Sequence, residues 1–331
     1  MWRQVFEYHP VIGYRFVPNL KARVPFDGGG YLTRTNDAGF RSERAFARAR
    51  TNGMRRVLLF GDSYSAADGV SNPNRYSDLV EQSVANLEVY NFALPGTGTD
   101  QQYLVWRELA AGIEHDLVLI AIFVENIRRV AARYRVYFDD AGKKVVYAKP
   151  YYTLANGELA LHHVPPQRQP VDVATLSAED RAGVDEGGRF ALLRQVATAI
   201  GAKEFLQRHT HYQPLPEYDS ADVPAWQLMR AILAKWIGEI GASRALLMPL
   251  PLHHYVEELA DAAPYQARFA ELARDLGCAL HDPLPDLLRY SAEERRRFRF
   301  EKDPHPTPEG HRAIAASLQP VLERMLPSTT N

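Results

Sequence analysis

The uninterrupted run Leu117-Val118-Leu119-Ile120-Ala121-Ile122-Phe123-Val124 constrains the fold more than any other stretch of the chain. It is far shorter than the roughly 20 apolar residues that a membrane-spanning helix needs, but it has the length of an ordinary strand. A strand with no polar position has no face to offer water. Both faces must be covered, which is the condition of a parallel strand between two layers of helices. Two shorter apolar runs precede it. Arg56 to Gly61 leads to a helix-like stretch from Tyr76 to Asn86, and Leu87 to Phe92 leads to one from about Asp100 to Gly112.

The alternation resumes later in the chain. An amphipathic segment, Pro224 to Ile240, leads into the run Arg244 to Pro249, and a helical segment near Tyr265 to Leu276 leads into Cys278 to His281. A final helix is expected from Thr307, as N-cap, and Pro308, in the first turn, to about Met325. Five strands alternating with helices predict an α/β fold: a flavodoxin-like, doubly wound, five-stranded parallel sheet in three α/β/α layers, its site at the carboxyl ends of the strands. Two regions stand outside this alternation. Residues 1–52, with Gly28-Gly29-Gly30 and the turn Asn36-Asp37-Ala38-Gly39, read as a β-rich extension. Residues 134–222 read as a mixed insertion after the third strand. Hairpin signals at Asp139-Asp140-Ala141-Gly142 and Asn156-Gly157 mark its first half, and its second half, near Ala178 to His209, looks helical. Because it leaves the third strand at its carboxyl end, the insertion is expected to wall or cover the site. The whole chain is expected to form one domain.

Composition narrows the partners. The lone Cys278 excludes an intrachain disulfide and a multi-cysteine zinc site. With 39 Lys and Arg against 40 Asp and Glu, nothing draws the whole molecule toward nucleic acid or an anionic membrane. The paired histidines at 162–163 and 253–254 offer no two-ligand site by themselves, because neighbours on a strand point to opposite faces. No metal or cofactor is expected, and the oligomeric state is open. The first residues lack the basic, apolar and small-residue pattern of a secretory leader, giving the expectation of a cytoplasmic location.

Four positions carry the chemistry. Ser63, in Gly61-Asp62-Ser63-Tyr64-Ser65, follows the first strand directly, where a tight strand-to-helix turn raises a hydroxyl into a cleft and leaves backbone N–H groups free for an oxyanion. An ordinary N-cap is the plain alternative. Near the other end, Asp303-Pro304-His305-Pro306 sets a histidine between two prolines, two residues after an aspartate, so that a base and its orienting carboxylate share one loop. Gly96, after the second strand, can present an unobstructed N–H, and Asn126, after the third, a side-chain amide.

A strand-one serine, strand-two glycine, strand-three asparagine and C-terminal Asp/His, in that order, resemble the SGNH hydrolases, or GDSL esterase/lipase superfamily, over about residues 56–124 and 243–325. The resemblance implies Ser63 as nucleophile, an oxyanion hole made by the Ser63 N–H, the Gly96 N–H and the Asn126 amide, and His305 as the acid-base, oriented by Asp303. The chain departs from the family twice. Its third block reads Val124-Glu125-Asn126-Ile127 where Gly-x-Asn-Asp is usual, and Lys302 stands three before the histidine, where the acid is usual. Orientation of His305 by a backbone carbonyl, in a Ser/His dyad, is the alternative. Gly13 to Asn19 and Thr35 to Arg41 resemble the extension of bacterial members associated with glycan modification. Arg128 and Arg129 closely follow Asn126, so Arg128 or its neighbour is expected either to meet an anionic substrate group or to form a surface ion pair. Tyr151 is expected to meet substrate, and Tyr147, Tyr152 and His163 to join Tyr151 in a sugar-stacking wall or in the hairpin's own packing. The implied activity is hydrolysis of an acetyl or short acyl ester on a carbohydrate or glycosylated small molecule. The rivals are O-acyl transfer to a glycan through the same residues and an inactive glycan-binding scaffold.

Overall fold

The structure, a computed structural model, describes residues 5–138, 143–184 and 213–326. Strands β1 (Phe6–His9) and β2 (Gly13–Phe16) form one antiparallel hairpin, and β3 (Lys21–Val24) and β4 (Tyr31–Arg34) form another. The main sheet contains β5 (Arg55–Phe60), β6 (Leu87–Asn91) and β7 (Leu117–Phe123). The insertion contributes two antiparallel pairs: β8 (Tyr134–Phe138) with β9 (Lys144–Ala148), and β10 (Tyr151–Ala155) with β11 (Glu158–His162). Strands β12 (Ala245–Leu250) and β13 (Ala279–Leu280) complete the main sheet.

The main sheet is parallel, in the order β13-β12-β7-β5-β6. Counted along the chain, its strands lie 2-1-3-4-5, the flavodoxin-like order, with helices on both faces. The chain reverses its direction of winding between β5 and β7, and such a switch point leaves a crevice beyond the carboxyl ends of the strands. All seven residues of β7 are buried, as an apolar strand flanked on both sides and covered on both faces must be. The edge strand is shorter than its apolar run: Ala279 and Leu280 are its two residues, and Cys278 and His281 lie outside it, although the His281 N–H still donates to the Leu247 carbonyl of β12 at 2.9 Å.

Helix starts follow local chemistry. The helix Pro224–Ile240 begins at its proline, and Pro308–Met325 begins after Thr307, whose hydroxyl accepts the Gly310 N–H at 3.2 Å. The Asn156-Gly157 turn joins β10 to β11 with both residues at positive φ (52° and 80°), which a two-residue hairpin turn of this type requires. The Asp139 to Gly142 signal, and most of the helical reading from Ala178 to His209, fall outside the described residues.

Extension and scaffold are tied together by buried arginines. The Arg56 guanidinium has no solvent exposure. It pairs with Glu88 at 2.7 Å and donates to the carbonyls of Ala47 and Ala49, fixing the end of the extension to the sheet. Arg41, equally buried, donates to the carbonyls of Ala66, Ala67 and Val70, just beyond the Ser63 turn. Among the described residues, no helix is long and apolar enough to cross a membrane.

Candidate active site

Ser63 opens a four-residue helix, Ser63–Ala66, directly after β5. Gly61 makes this turn possible, because a Cβ there would overlap the Ser65 side chain and crowd the Ala121 carbonyl. Asp62 caps the helix by accepting the Tyr64 N–H at 3.0 Å. Ala67 ends it at a left-handed φ of 65°, a conformation unfavourable for a residue with a Cβ; Arg41 holds this end through the Ala66 and Ala67 carbonyls.

The turn that begins the sheet's first crossover and the loop near the chain's end meet. Ser63 Oγ lies 2.7 Å from His305 Nε2. On the other side of the ring, His305 Nδ1 contacts Asp303 Oδ1, and the same oxygen accepts the His305 backbone N–H at 2.9 Å. With Nδ1–H donating to the carboxylate, Nε2 carries a lone pair that can accept a hydrogen bond from the Ser63 hydroxyl. Of the two orienters considered for the imidazole, the carboxylate is the one in contact. The loop is braced from outside: Tyr64 donates from its hydroxyl to the Pro304 carbonyl at 2.8 Å, and its ring stacks on Phe123. Phe26, from the extension, packs edge-on to Phe300 and lies 6.1 Å from the His305 ring.

The second and third strands bring up the other two positions. The Leu94–Thr97 turn is stitched to the Ser63 turn, with Leu94 N–H donating to the Gly61 carbonyl at 3.2 Å. Gly96 holds a φ of 78° there, as glycine readily does. Asn126 is fully buried at the start of the helix Asn126–Ala131, and neither Nδ2 nor Oδ1 has a hydrogen-bond partner. An unpartnered buried amide is costly unless something else uses it.

Ionic contacts hold this side of the site. Arg129 donates to Asp62 Oδ2 at 2.6 Å and reaches the Thr97 carbonyl, joining the helix Asn126–Ala131 to both turns. Lys149, from the insertion, forms a buried pair with Asp100. Burial raises the Asp100 pKa and lowers that of Lys149, and each partner opposes the other's shift. Tyr14, from the extension, donates to the Pro95 carbonyl, and Arg135 lies against Gly96. Asp68, also close to His305, is a carboxyl whose pKa burial raises, against the opposing charges of His305 and Arg41.

The remaining expected residues are engaged elsewhere in the insertion. Arg128 pairs with Glu217 at 2.5 Å and donates to the Pro214 carbonyl. Tyr151 stacks on His162 at 5.0 Å and meets His163 edge-on. Tyr152 is buried against Tyr103, in the packing role, whereas Tyr147 is half-buried and edge-on to Tyr137. Arg129, Arg135, Lys149 and Asp68 were not singled out by sequence as site residues, except that Arg129 was paired with Arg128 as a possible anion contact. The alternation in β8 was the available signal for Arg135, since it puts Arg135 and Tyr137 on one face.

No family model matches the sequence, and no curated protein matches it. Among solved structures, the chain is similar to a lipase/acylhydrolase from Enterococcus faecalis, with 15% identity, 84% of this chain and 100% of that chain covered, and a TM-score of 0.44. It is also similar to a member of the lipolytic G-D-S-L family from Veillonella parvula DSM 2008 (11% identity, 82% and 99% covered, TM-score 0.43). A third is an acetylxylan esterase from Geobacillus stearothermophilus (12% identity, 84% and 96% covered, TM-score 0.42). At such low identities and scores, these likenesses decide nothing about the chemistry of this chain.

Proposed function

We propose that this chain is a serine esterase of the SGNH hydrolase superfamily, removing an acetyl or other short acyl group from a carbohydrate or glycosylated small molecule. The observation that carries the reading is the continuous contact Ser63 Oγ, His305 Nε2, His305 Nδ1, Asp303 Oδ1. Ser63 Oγ attacks the ester carbonyl as its proton passes to His305 Nε2, and Asp303 stabilises the imidazolium. The carbonyl oxygen becomes an oxyanion, accepting from the Ser63 N–H, the Gly96 N–H and Asn126 Nδ2. The unpartnered amide of Asn126 supports this assignment, since a donor aimed at charge that appears only during reaction has no partner at rest. Collapse of the intermediate breaks the bond to the alcohol, which leaves with the proton from His305. Water then attacks the acyl-serine, gives its proton to His305, and releases the acid as Ser63 takes that proton back.

Two features support a small acyl group. Ser63 is only 5% exposed and Asn126 not at all, so little room is left on the acyl side. No metal or cofactor enters this scheme. The test is Ser63→Ala with a chromogenic acetate ester. Turnover should fall by at least about 10³-fold, with the unfolding temperature nearly unchanged, and a fluorophosphonate should label Ser63 in the wild type alone. Full turnover in the variant would sink the reading.

A further inference from the structure

Three cations lie around the turn that carries Gly96, and two are committed. Arg129 is held by Asp62, and Lys149 by Asp100. Arg135 differs. Among the described residues no carboxylate pairs with its guanidinium, which lies so close to Gly96 that a methyl group there would overlap it. Its near neighbours are phenols: the guanidinium is 5.4 Å from the Tyr137 ring centroid, and Tyr14 is near enough to feel its charge. Tyr147 is the cross-strand partner of Arg135, so it joins Arg135 and Tyr137 on one face of the β8–β9 hairpin. Asp62 is the carboxylate whose charge acts on Arg135, and its ion pair is made with Arg129, so among the described residues no carboxylate is committed to the Arg135 guanidinium.

Resting on the esterase reading above, we infer that Arg135 is the receptor for a carboxylate carried by the substrate. Because the guanidinium packs on the glycine assigned to the oxyanion hole, that carboxylate lies a few bonds from the scissile carbonyl. It belongs either to the sugar, as in an acylated uronic acid, or to the acyl group, as in a hemisuccinate. A planar guanidinium takes a carboxylate through two parallel N–H donors. The Tyr137 and Tyr147 rings beside it offer flat apolar surface to the C–H face of a sugar ring, which favours the sugar as the carrier.

The experiment compares wild type with Arg135→Gln on two matched pairs: acetylated methyl glucuronoside against acetylated methyl glucoside, and 4-nitrophenyl hemisuccinate against 4-nitrophenyl acetate. The ratio of kcat/KM for the charged member to that for the neutral one should fall at least about tenfold in the variant, mainly through KM, and Arg135→Lys should recover part of it. A fall in the sugar pair puts the carboxylate on the alcohol half; a fall in the hemisuccinate pair puts it on the acyl half. Added salt should shrink the wild-type ratio, a readout that needs no variant to fold. Equal changes on charged and neutral esters in both pairs would overturn the inference. Calorimetric titration with glucuronate separates the two proposals. Arg135-dependent binding without turnover of any ester keeps the receptor and sinks the esterase, and turnover without charge preference does the reverse.

Discussion

The two sides of the site are held by different chemistry. Around His305 the contacts are mainly neutral: the Tyr64 hydroxyl on the Pro304 carbonyl, the Thr307 cap, and the Phe26 and Phe300 rings. Around Gly96 they are ionic, with Asp62–Arg129 and Asp100–Lys149 linking two turns, a helix and the insertion, and with Arg135 beside them. The difference matches what each side hosts in the proposed reaction. The imidazole must shuttle between neutral and charged forms, and beyond its orienting carboxylate the other carboxyl close to it, Asp68, is one that burial pushes toward its neutral form. The oxyanion side receives negative charge in a low-dielectric setting, where oriented donors and cations act strongly.

The contrast breaks most directly at Arg129. Arg129→Met removes the ion-pair partner of Asp62, which has no solvent exposure, and leaves a buried carboxylate without that pair directly before Ser63. Removing one member of such a pair costs about 3–5 kcal/mol. Denaturant unfolding should show a loss of this size. In Asp62→Asn with Arg129→Met, most of it should return, because asparagine can still cap the helix and carries no charge. A loss below about 1 kcal/mol in the single variant, the range of exposed pairs, would mean that the ionic side is not built on this contact.

The neutral side has its own sensitivity, to acid. His311, in the helix that follows the His305 loop, is fully buried, with Nδ1 accepting the Tyr76 N–H at 3.3 Å. Burial, reinforced by the charges of Arg41 and Arg75, pushes its pKa down from 6.5 to about 3. The unfolded chain therefore binds a proton near pH 6.5 that the folded chain refuses. Stability from this group is complete above that pH and drains away as pH falls toward about 3. Between pH 7 and pH 5 the loss is about 2 kcal/mol, and His311→Gln should remove that part of the pH dependence. Identical pH profiles of unfolding free energy in the two proteins would sink this account.

Most of the scaffold and the Ser63, Asp303 and His305 positions of the candidate site were legible in sequence because their signals are local. The Leu117–Val124 run announces its burial at every position, and Thr307-Pro308 starts a helix by its own hydrogen bonding and φ. Ser63, Asp303 and His305 sit in turns whose shape is set within a few residues. The ionic side was not legible, because its pairs join residues far apart: 67 positions separate Asp62 from Arg129, and 49 separate Asp100 from Lys149. Of two adjacent arginines, sequence offers no means to say that Arg129 turns to Asp62 while Arg128 turns to Glu217. Arg135 was hidden for a similar reason, since the contact of β8 with Gly96 depends on how the insertion folds back.

The finest test of the neutral side is Tyr64→Phe. The Tyr64 ring is sandwiched near Phe123, at 3.9 Å between centroids, and His305, at 5.3 Å, and phenylalanine keeps that packing. The hydroxyl on the Pro304 carbonyl is lost. Pro304 is half-buried, so water can satisfy its carbonyl, and the cost should stay near about 1 kcal/mol, an ordinary hydrogen bond. If that bond holds the loop where Nε2 meets Ser63 Oγ, the cost appears in kcat, as a fall of roughly fivefold with KM nearly constant, because positioning of the base matters in the transition state and not in ground-state binding. Steady-state kinetics and an unfolding temperature for the same variant divide the outcomes. A lower unfolding temperature with unchanged kcat makes the hydroxyl a stability contact only, whereas a kcat loss that the small stability change cannot explain makes Tyr64 the residue that sets the histidine's place.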